Sequence, residues 1–313
     1  MNMRMWFGVA FLLVQPVISG AQGNARPPIL GRWDMTIRAP EGNGAAWLEV
    51  DLSGSRTLVG RFVGTGGSVR PVSEVEFKDG ELRFSIPPQW ERVDGKISVT
   101  GRLEGDRLSG SMTLGNRQPV EWTAVRAPSL RPKGAPQWGT PVTLLNGRDL
   151  AGWHPKGTTS AWQVADGVLK NAKAGSDLIT DATFTDFKLH AEFRYPAGSN
   201  SGIYLRGRYE VQIADTPDTE PEPHILGAVY GFLEPSAMVA KKPGEWQTFD
   251  ITLVGRMVTV VLNGTTIICD REIPGITGGA LDSKEGEPGP LMLQGDHGPI
   301  DFRNLVLTPE RGR

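Results

Sequence analysis

Two stretches of the 313-residue chain carry side chains whose types and spacing suit acid–base chemistry. The first is NSGIYLRGRYEVQIADT, Asn200 to Thr216, in which Tyr204, Glu210 and Gln212 alternate with Ile203, Leu205, Val211 and Ile213. A phenol, a carboxyl group and an amide at alternate positions share one face of a strand pair. The carboxyl can give or take a proton there, and its neighbours can hold polar groups of a ligand. The second is LQGDHGPIDFRN, where Asp296 and His297 sit between Gly295 and Gly298, with Arg303 on the strand that follows. Flanking glycines permit close approach of a ligand, and imidazole has the ordinary pKa nearest neutrality.

Period-two alternation predicts a hairpin in the first stretch. A three-residue loop, Arg206-Gly207-Arg208, pairs Leu205 with Tyr209 and Ile203 with Val211, which gives one apolar face. Tyr204 then stands opposite Glu210 and Gly202 opposite Gln212, with open space expected above the amide. A two-residue loop would expose Val211 and Ile213, which excludes it. DFKLHAEFRY alternates in the same way: Phe187, Leu189, Ala191 and Phe193 point inward and Lys188, His190, Glu192 and Arg194 outward. If that strand neighbours the hairpin, Glu192 joins the Tyr204/Glu210 face. A solvated face of mixed charges accounts for Lys188 and Arg194, since surface ion pairs are common and weak.

Residues 214–248 have almost no periodicity, and loops of that length in compact domains are often functional; this one carries Asp215, His224, Tyr230 and Lys242. Flat faces bearing carboxylate, amide and aromatic groups suit sugars, because the polar groups bond the hydroxyls and the rings cover the apolar ring faces.

The elements that position these groups are strands throughout. Short alternating runs fall between 40 glycines and 24 prolines, and within about residues 140–310 no 12-residue stretch has clean helical periodicity. Asp79-Gly80, Asp94-Gly95, Asp166-Gly167 and Asn263-Gly264 read as hairpin turns. The expected fold is all-β. Residues 24–128 form a small antiparallel barrel or sandwich without a histidine, read as accessory. The proline-spaced segment 129–141 is a linker, and residues 142–309 form a two-sheet antiparallel sandwich.

Residues 1–21 have one early cation, Arg4, an apolar run from Trp6 to Val14 and small residues at Ser19 and Ala21. They read as a signal peptide cut near Ala21, with an apolar run too short to span a bilayer. The expected location is therefore periplasmic or secreted, with no membrane span after cleavage. The one cysteine, Cys269 in TTIICD, is expected to be a buried, inert thiol. A net charge of −2 with no basic block argues against nucleic acid. Phosphate-binding glycine loops, CxxC pairs, HExxH and GxSxG are all missing from the sequence, which removes nucleotide, zinc and serine-hydrolase readings.

LLNGRDLAGW, W-x-V-x-DGVL, the F-x-L-x-x-EFR strand leading into NSGIYLRGRYEVQIADT, and LQGDHGPIDFRNL occur in that order over residues 142–308. Together they resemble the 3-keto-disaccharide hydrolase domain, formerly the domain of unknown function 1080. The resemblance implies a concanavalin A-like jelly roll, secreted or periplasmic, that acts on glycosides oxidised to a ketone at C3. It does not reach residues 24–128.

A C3 carbonyl acidifies the C2 hydrogen and leaves the glycosidic oxygen β to the carbanion. Elimination followed by hydration then gives net hydrolysis, and it needs a base, an enolate stabiliser and an acid. His297 or Glu210 is the candidate base, Arg206 or a bound cation the stabiliser, and Tyr230 or Asp215 the proton donor. Glu192, Asn200, Tyr204, Arg206, Gln212, Lys242 and Arg303 are candidate substrate contacts. Glu192, Glu210, Asp215 and Asp296 could hold a hard cation such as calcium if they converge. The alternatives are a non-catalytic carbohydrate-binding module, since such folds serve lectins equally, and a scaffold that uses the N-terminal unit as its contact surface.

Overall fold

The computed structural model describes residues 26–311 apart from Glu41, Lys133 and residues 217–219. The expected leader, 1–21, lies outside the described residues. Among them the regular elements are all β-strands, as the missing helical periodicity predicted, and no helix is long and apolar enough to cross a membrane.

Gly31–Ala39 and Val120–Arg126 pair at the centre of a nine-stranded antiparallel sheet. One wing continues through Gly42–Ser53 and Thr57–Val63 to Arg70–Val72, the other through Arg107–Leu114, Ile97–Glu104 and Glu81–Ile86 to Glu76–Lys78. The sheet curls so that Arg70–Val72 comes against Glu81–Ile86, and it closes over Trp33, Phe62, Phe84 and Trp122.

The remaining strands make two further antiparallel sheets. One carries Phe187–Arg194 between Ile300–Pro309 and Gln247–Val254; the other carries Asn200–Leu205 between Gly289–Leu293 and Tyr209–Ala214. Phe187, Leu189, Ala191 and Phe193 from the first share one apolar core with Ile203, Leu205, Tyr209, Val211 and Ile213 from the second, so the two sheets form a sandwich. The final strand closes the first of these sheets, pairing with Val142–Thr143, Val168–Asn171 and Phe187–Arg194.

Asp79-Gly80, Asp166-Gly167 and Asn263-Gly264 turn hairpins with positive φ at both residues. Asp94-Gly95 does not; it lies in the irregular segment 87–96 and only the glycine has positive φ. Cys269 also departs from expectation, being exposed. Register shifts between Met257–Leu262 and Thr265–Glu272 bury Ile267 and Ile268 consecutively and turn the next residue outward.

The proline-spaced segment is tied to the sandwich: the Gly139 amide donates to the Pro309 carbonyl (2.7 Å) and the Arg256 amide to that of Leu130 (3.3 Å). More consequentially, Ala45, Trp47 and Val63 of the N-terminal sheet belong to the apolar core of the sandwich. Gly278 lies so close to the backbone of Gly67 that an added Cβ would stand 2.0 Å from its carbonyl oxygen. The two units meet through buried side chains and backbone, which does not fit an N-terminal unit standing apart from the rest.

Candidate active site

Strands Asn200–Leu205 and Tyr209–Ala214 pair in the predicted register, with Tyr204 opposite Glu210 and Gly202 opposite Gln212. Alternation puts Tyr204, Glu210 and Gln212 on the face away from the core, but that face is buried, with all three only 2–3% exposed. The long loop pairs with the free edge of this strand, the backbone N–H of Gln212 donating to the Ala228 carbonyl (2.9 Å) and that of Tyr230 to the Glu210 carbonyl (3.0 Å), while Gly278 and Gly279 lie against Tyr204 and the His224 carbonyl accepts from Gln212 Nε2 (3.3 Å). The space expected above Gly202 is filled by the Glu210 carboxylate, 2.3 Å from where a Cβ would stand.

Above this floor lies a cleft of about 500 Å3. Its lining gathers Asn200, Tyr204, Glu210, Gln212, Tyr230 and His297 from the predicted set, together with Asp296. Lys156, Asp177 and Gln294, which sequence reasoning did not single out, join them, as do Thr65, Gly66, Gly67 and Trp90 of the N-terminal sheet. The side-chain oxygens of Gln212 and Gln294 have no hydrogen-bond partner among the described residues. Buried amides left short of a hydrogen bond in a cleft wall suit a hydroxyl-rich ligand.

Burial pushes the Glu210 carboxyl up to about 8, against the hydrogen bond from Tyr204 and the charge of His297, so the group is protonated at neutrality. Tyr204 Oη lies 2.9 Å from Glu210 Oε2 and 2.8 Å from the Gly278 carbonyl. One phenolic proton cannot serve both acceptors. With Glu210 protonated, the acid donates to Tyr204 and Tyr204 to Gly278; once Glu210 ionises, Tyr204 turns to it. Across the cleft, His297 Nδ1 hydrogen-bonds Asp296 Oδ1, which together with the Asp296 charge raises the imidazole pKa above its ordinary value despite burial. Burial opposes ionisation of Asp296, but the hydrogen bond and charge of His297 outweigh it and hold that carboxyl low. The bond to Asp296 occupies Nδ1 and leaves Nε2 for a ligand. Asp177 is raised, chiefly by burial; its Oδ1 accepts from the Gly295 amide (3.0 Å) and its Oδ2 lies 3.7 Å from Lys156 Nζ.

Five predicted residues lie elsewhere. Glu192 is on the other sheet, where Arg303 Nε and Asn304 Nδ2 donate to it at 2.6 Å each, and Arg303 lies over Trp246. Strand Phe187–Arg194 does not neighbour the hairpin, so Glu192 and Arg303 pair with each other outside the cleft. Arg206 sits in the hairpin turn at φ 53°, buried over Tyr209 and donating to the Gly255 carbonyl (2.7 Å). Asp215 ties its carboxylate to the Gly198 amide (2.7 Å), bracing the neighbouring turn. Lys242 is exposed, its amide bonded to Glu245. The carboxylates proposed to hold a cation therefore do not converge: only Glu210 and Asp296 line the cleft. Among the described residues no group of three or more His, Cys, Asp or Glu is placed to bind a metal.

The profile of a family described as the 3-keto-alpha-glucoside-1,2-lyase-like domain matches residues 140–308. Among solved structures, three Parabacteroides distasonis ATCC 8503 proteins provisionally described as glycosyl hydrolases are similar. One is 30% identical, with 56% of this chain and 90% of that one covered and a TM-score of 0.46. The second is 26% identical over 54% and 98%, with a TM-score of 0.43. The third is 20% identical over 55% and 94%, with a TM-score of 0.46. No curated protein matches the chain.

Proposed function

Because the chain belongs to the 3-keto-alpha-glucoside-1,2-lyase-like family, we propose that this carbohydrate-active protein cleaves glycosides oxidised at C3, by elimination across C1 and C2 followed by addition of water. The observation that carries the reading is the pairing of Glu210 and His297 in one cleft. A carboxyl group that keeps its proton to about pH 8 lines the same cleft as an imidazole with Asp296 behind it.

In the proposed reaction His297 Nε2 takes the C2 proton and the electron pair moves to the C3 oxygen as an enolate. That enolate expels the C1 substituent, whose oxygen receives the proton of Glu210. Tyr204 then donates to the carboxylate so formed, and Lys156 replaces the misplaced Arg206 as the cation facing the enolate. Water adds to the resulting unsaturated ketone to give the free 3-keto sugar. The amides of Asn200, Gln212 and Gln294 hold ring hydroxyls.

The same reading takes the sandwich as a concanavalin A-like jelly roll and residues 1–21 as a leader removed on export to the periplasm or medium. A mature N-terminus that still contained those residues in exported protein would contradict the latter. The functional test offers the protein a 3-keto-glucoside and its unoxidised parent, with and without chelator. Turnover of the ketone alone supports the proposal, and binding of both without turnover replaces it with a carbohydrate-binding module. Loss of turnover in chelator adds a bound cation to the enolate-stabilising group.

A further inference from the structure

An exposed indole stands at the cleft. Trp90 is 47% exposed, although aromatic rings of that size ordinarily find cover, and it lines the same cleft as Glu210 and His297. Its exposure is built rather than incidental. Glu91 and Arg70, both buried, form an ion pair at 2.8 Å, and the other carboxylate oxygen of Glu91 accepts from the amides of Gln89 (2.7 Å) and Trp90 (3.1 Å). A buried pair is costly to desolvate, and here the second oxygen of its carboxylate fixes the backbone that carries the tryptophan. The loop beneath is equally specific. A Cβ at Gly67 would come within 2.4 Å of the indole and one at Gly66 within 3.2 Å, so the ring rests on bare backbone.

The cleft thus has a floor of acid–base groups and amides and, at its N-terminal wall, one rigid flat apolar surface. We propose that Trp90 is a platform for the leaving group, selecting glycosides whose aglycone offers a flat apolar face, either a second pyranose ring or an aromatic ring. This rests on the reading that the cleft cleaves 3-keto-glycosides, and it adds a specificity residue from outside the family-matched segment 140–308. The stacking surface acts on the part of the substrate that departs, leaving the sugar that reacts to the floor.

The experiment compares wild type, Trp90→Ala and Trp90→Phe on three substrates: a 3-keto-disaccharide, phenyl 3-keto-glucoside and methyl 3-keto-glucoside. Trp90→Ala is expected to raise KM about tenfold for substrates with a ring aglycone, the scale of one aromatic contact, with kcat little changed. Methyl 3-keto-glucoside should be handled as by wild type, and Trp90→Phe should recover most of the loss. An effect confined to the disaccharide, or to the phenyl glycoside, identifies the ring that stacks. Equal losses on all three substrates, or no loss on any, would overturn the platform. Should wild type turn over none of them, the reading of function fails instead. The platform is then decided by calorimetric titration with the same three compounds: weaker binding of the ring-bearing ligands by Trp90→Ala supports it, and equal binding refutes it.

Discussion

The carboxylate of Glu210 occupies the volume that any side chain at its neighbour across the diagonal, Gly202, would need: a Cβ there would stand 2.3 Å from Oε1 and 2.8 Å from Cγ. Glycine at position 202 therefore seats the acid of the cleft. Gly202→Ala should push the flexible carboxylate off Tyr204 without disturbing the strand pairing, since the backbone there is ordinary extended strand. The expected result is a ~100-fold fall in kcat/KM, the scale of a misplaced catalytic group, with strand content retained by circular dichroism. Undiminished activity would show that the seat does not matter.

Glu210→Gln keeps the shape of the protonated acid but removes its proton. Turnover of a 3-keto-glycoside should drop at least ~100-fold. Stability should move the other way. The folded pKa of about 8 lies above the ordinary carboxyl value, so between those two pH values the unfolded chain ionises while the folded one keeps its proton, and wild-type stability falls as pH rises. Glutamine does not titrate. The melting temperature of the variant should therefore gain on wild type from pH 5 to 8, and a constant difference across that window would mean that Glu210 is not buried as the acid.

His297 sets the other limb of the pH profile. As a base it must be neutral, and Asp296 raises its pKa above the ordinary 6.5, so activity should rise with pH through a midpoint above that value. Ionisation of Glu210 should bring the rate down again near pH 8, giving a narrow bell. Asp296→Asn removes the raising partner and should move the acidic limb down, and His297→Gln should abolish it with most of the rate. An acidic limb unmoved by either change would take the imidazole out of the reaction.

Removal of the N-terminal sheet tests the integration of the two units. A fragment of residues 136–313 lacks Trp47 and Val63 from the sandwich core and Thr65, Gly66, Gly67 and Trp90 from the cleft wall. We expect it to be insoluble or inactive. A soluble fragment with full activity on all substrates would support the accessory role expected of the N-terminal unit.

The hairpin was legible in the sequence because only one register buries Ile203, Val211 and Ile213 together, and that register dictates which residues oppose one another. Alternation, however, reports the face of a strand and not what covers it. The Glu210 carboxyl is bonded to Tyr204, which is itself covered by Gly278 and Gly279, and no periodicity links that segment to the hairpin. Glu192 failed for a related reason: its outward direction was right, but its strand belongs to the opposite sheet. Lys156 and Asp177 flank short strands far away in sequence and left no local signal. Gln294 was within reach, since it directly precedes the Gly-Asp-His-Gly run already singled out.

The central claim is that the C2–H bond breaks in a cleft where Glu210 and His297 face one substrate. It is tested most directly with a 3-keto-glycoside carrying deuterium at C2 of the oxidised ring, cleaved by the wild-type enzyme in ordinary water and quenched at low conversion. Elimination predicts that the released sugar has lost the label, with a slower rate than the unlabelled substrate, and control substrate recovered from His297→Gln should keep it. A product that retains its deuterium at C2, formed at an unchanged rate, would show direct hydrolysis and contradict the account.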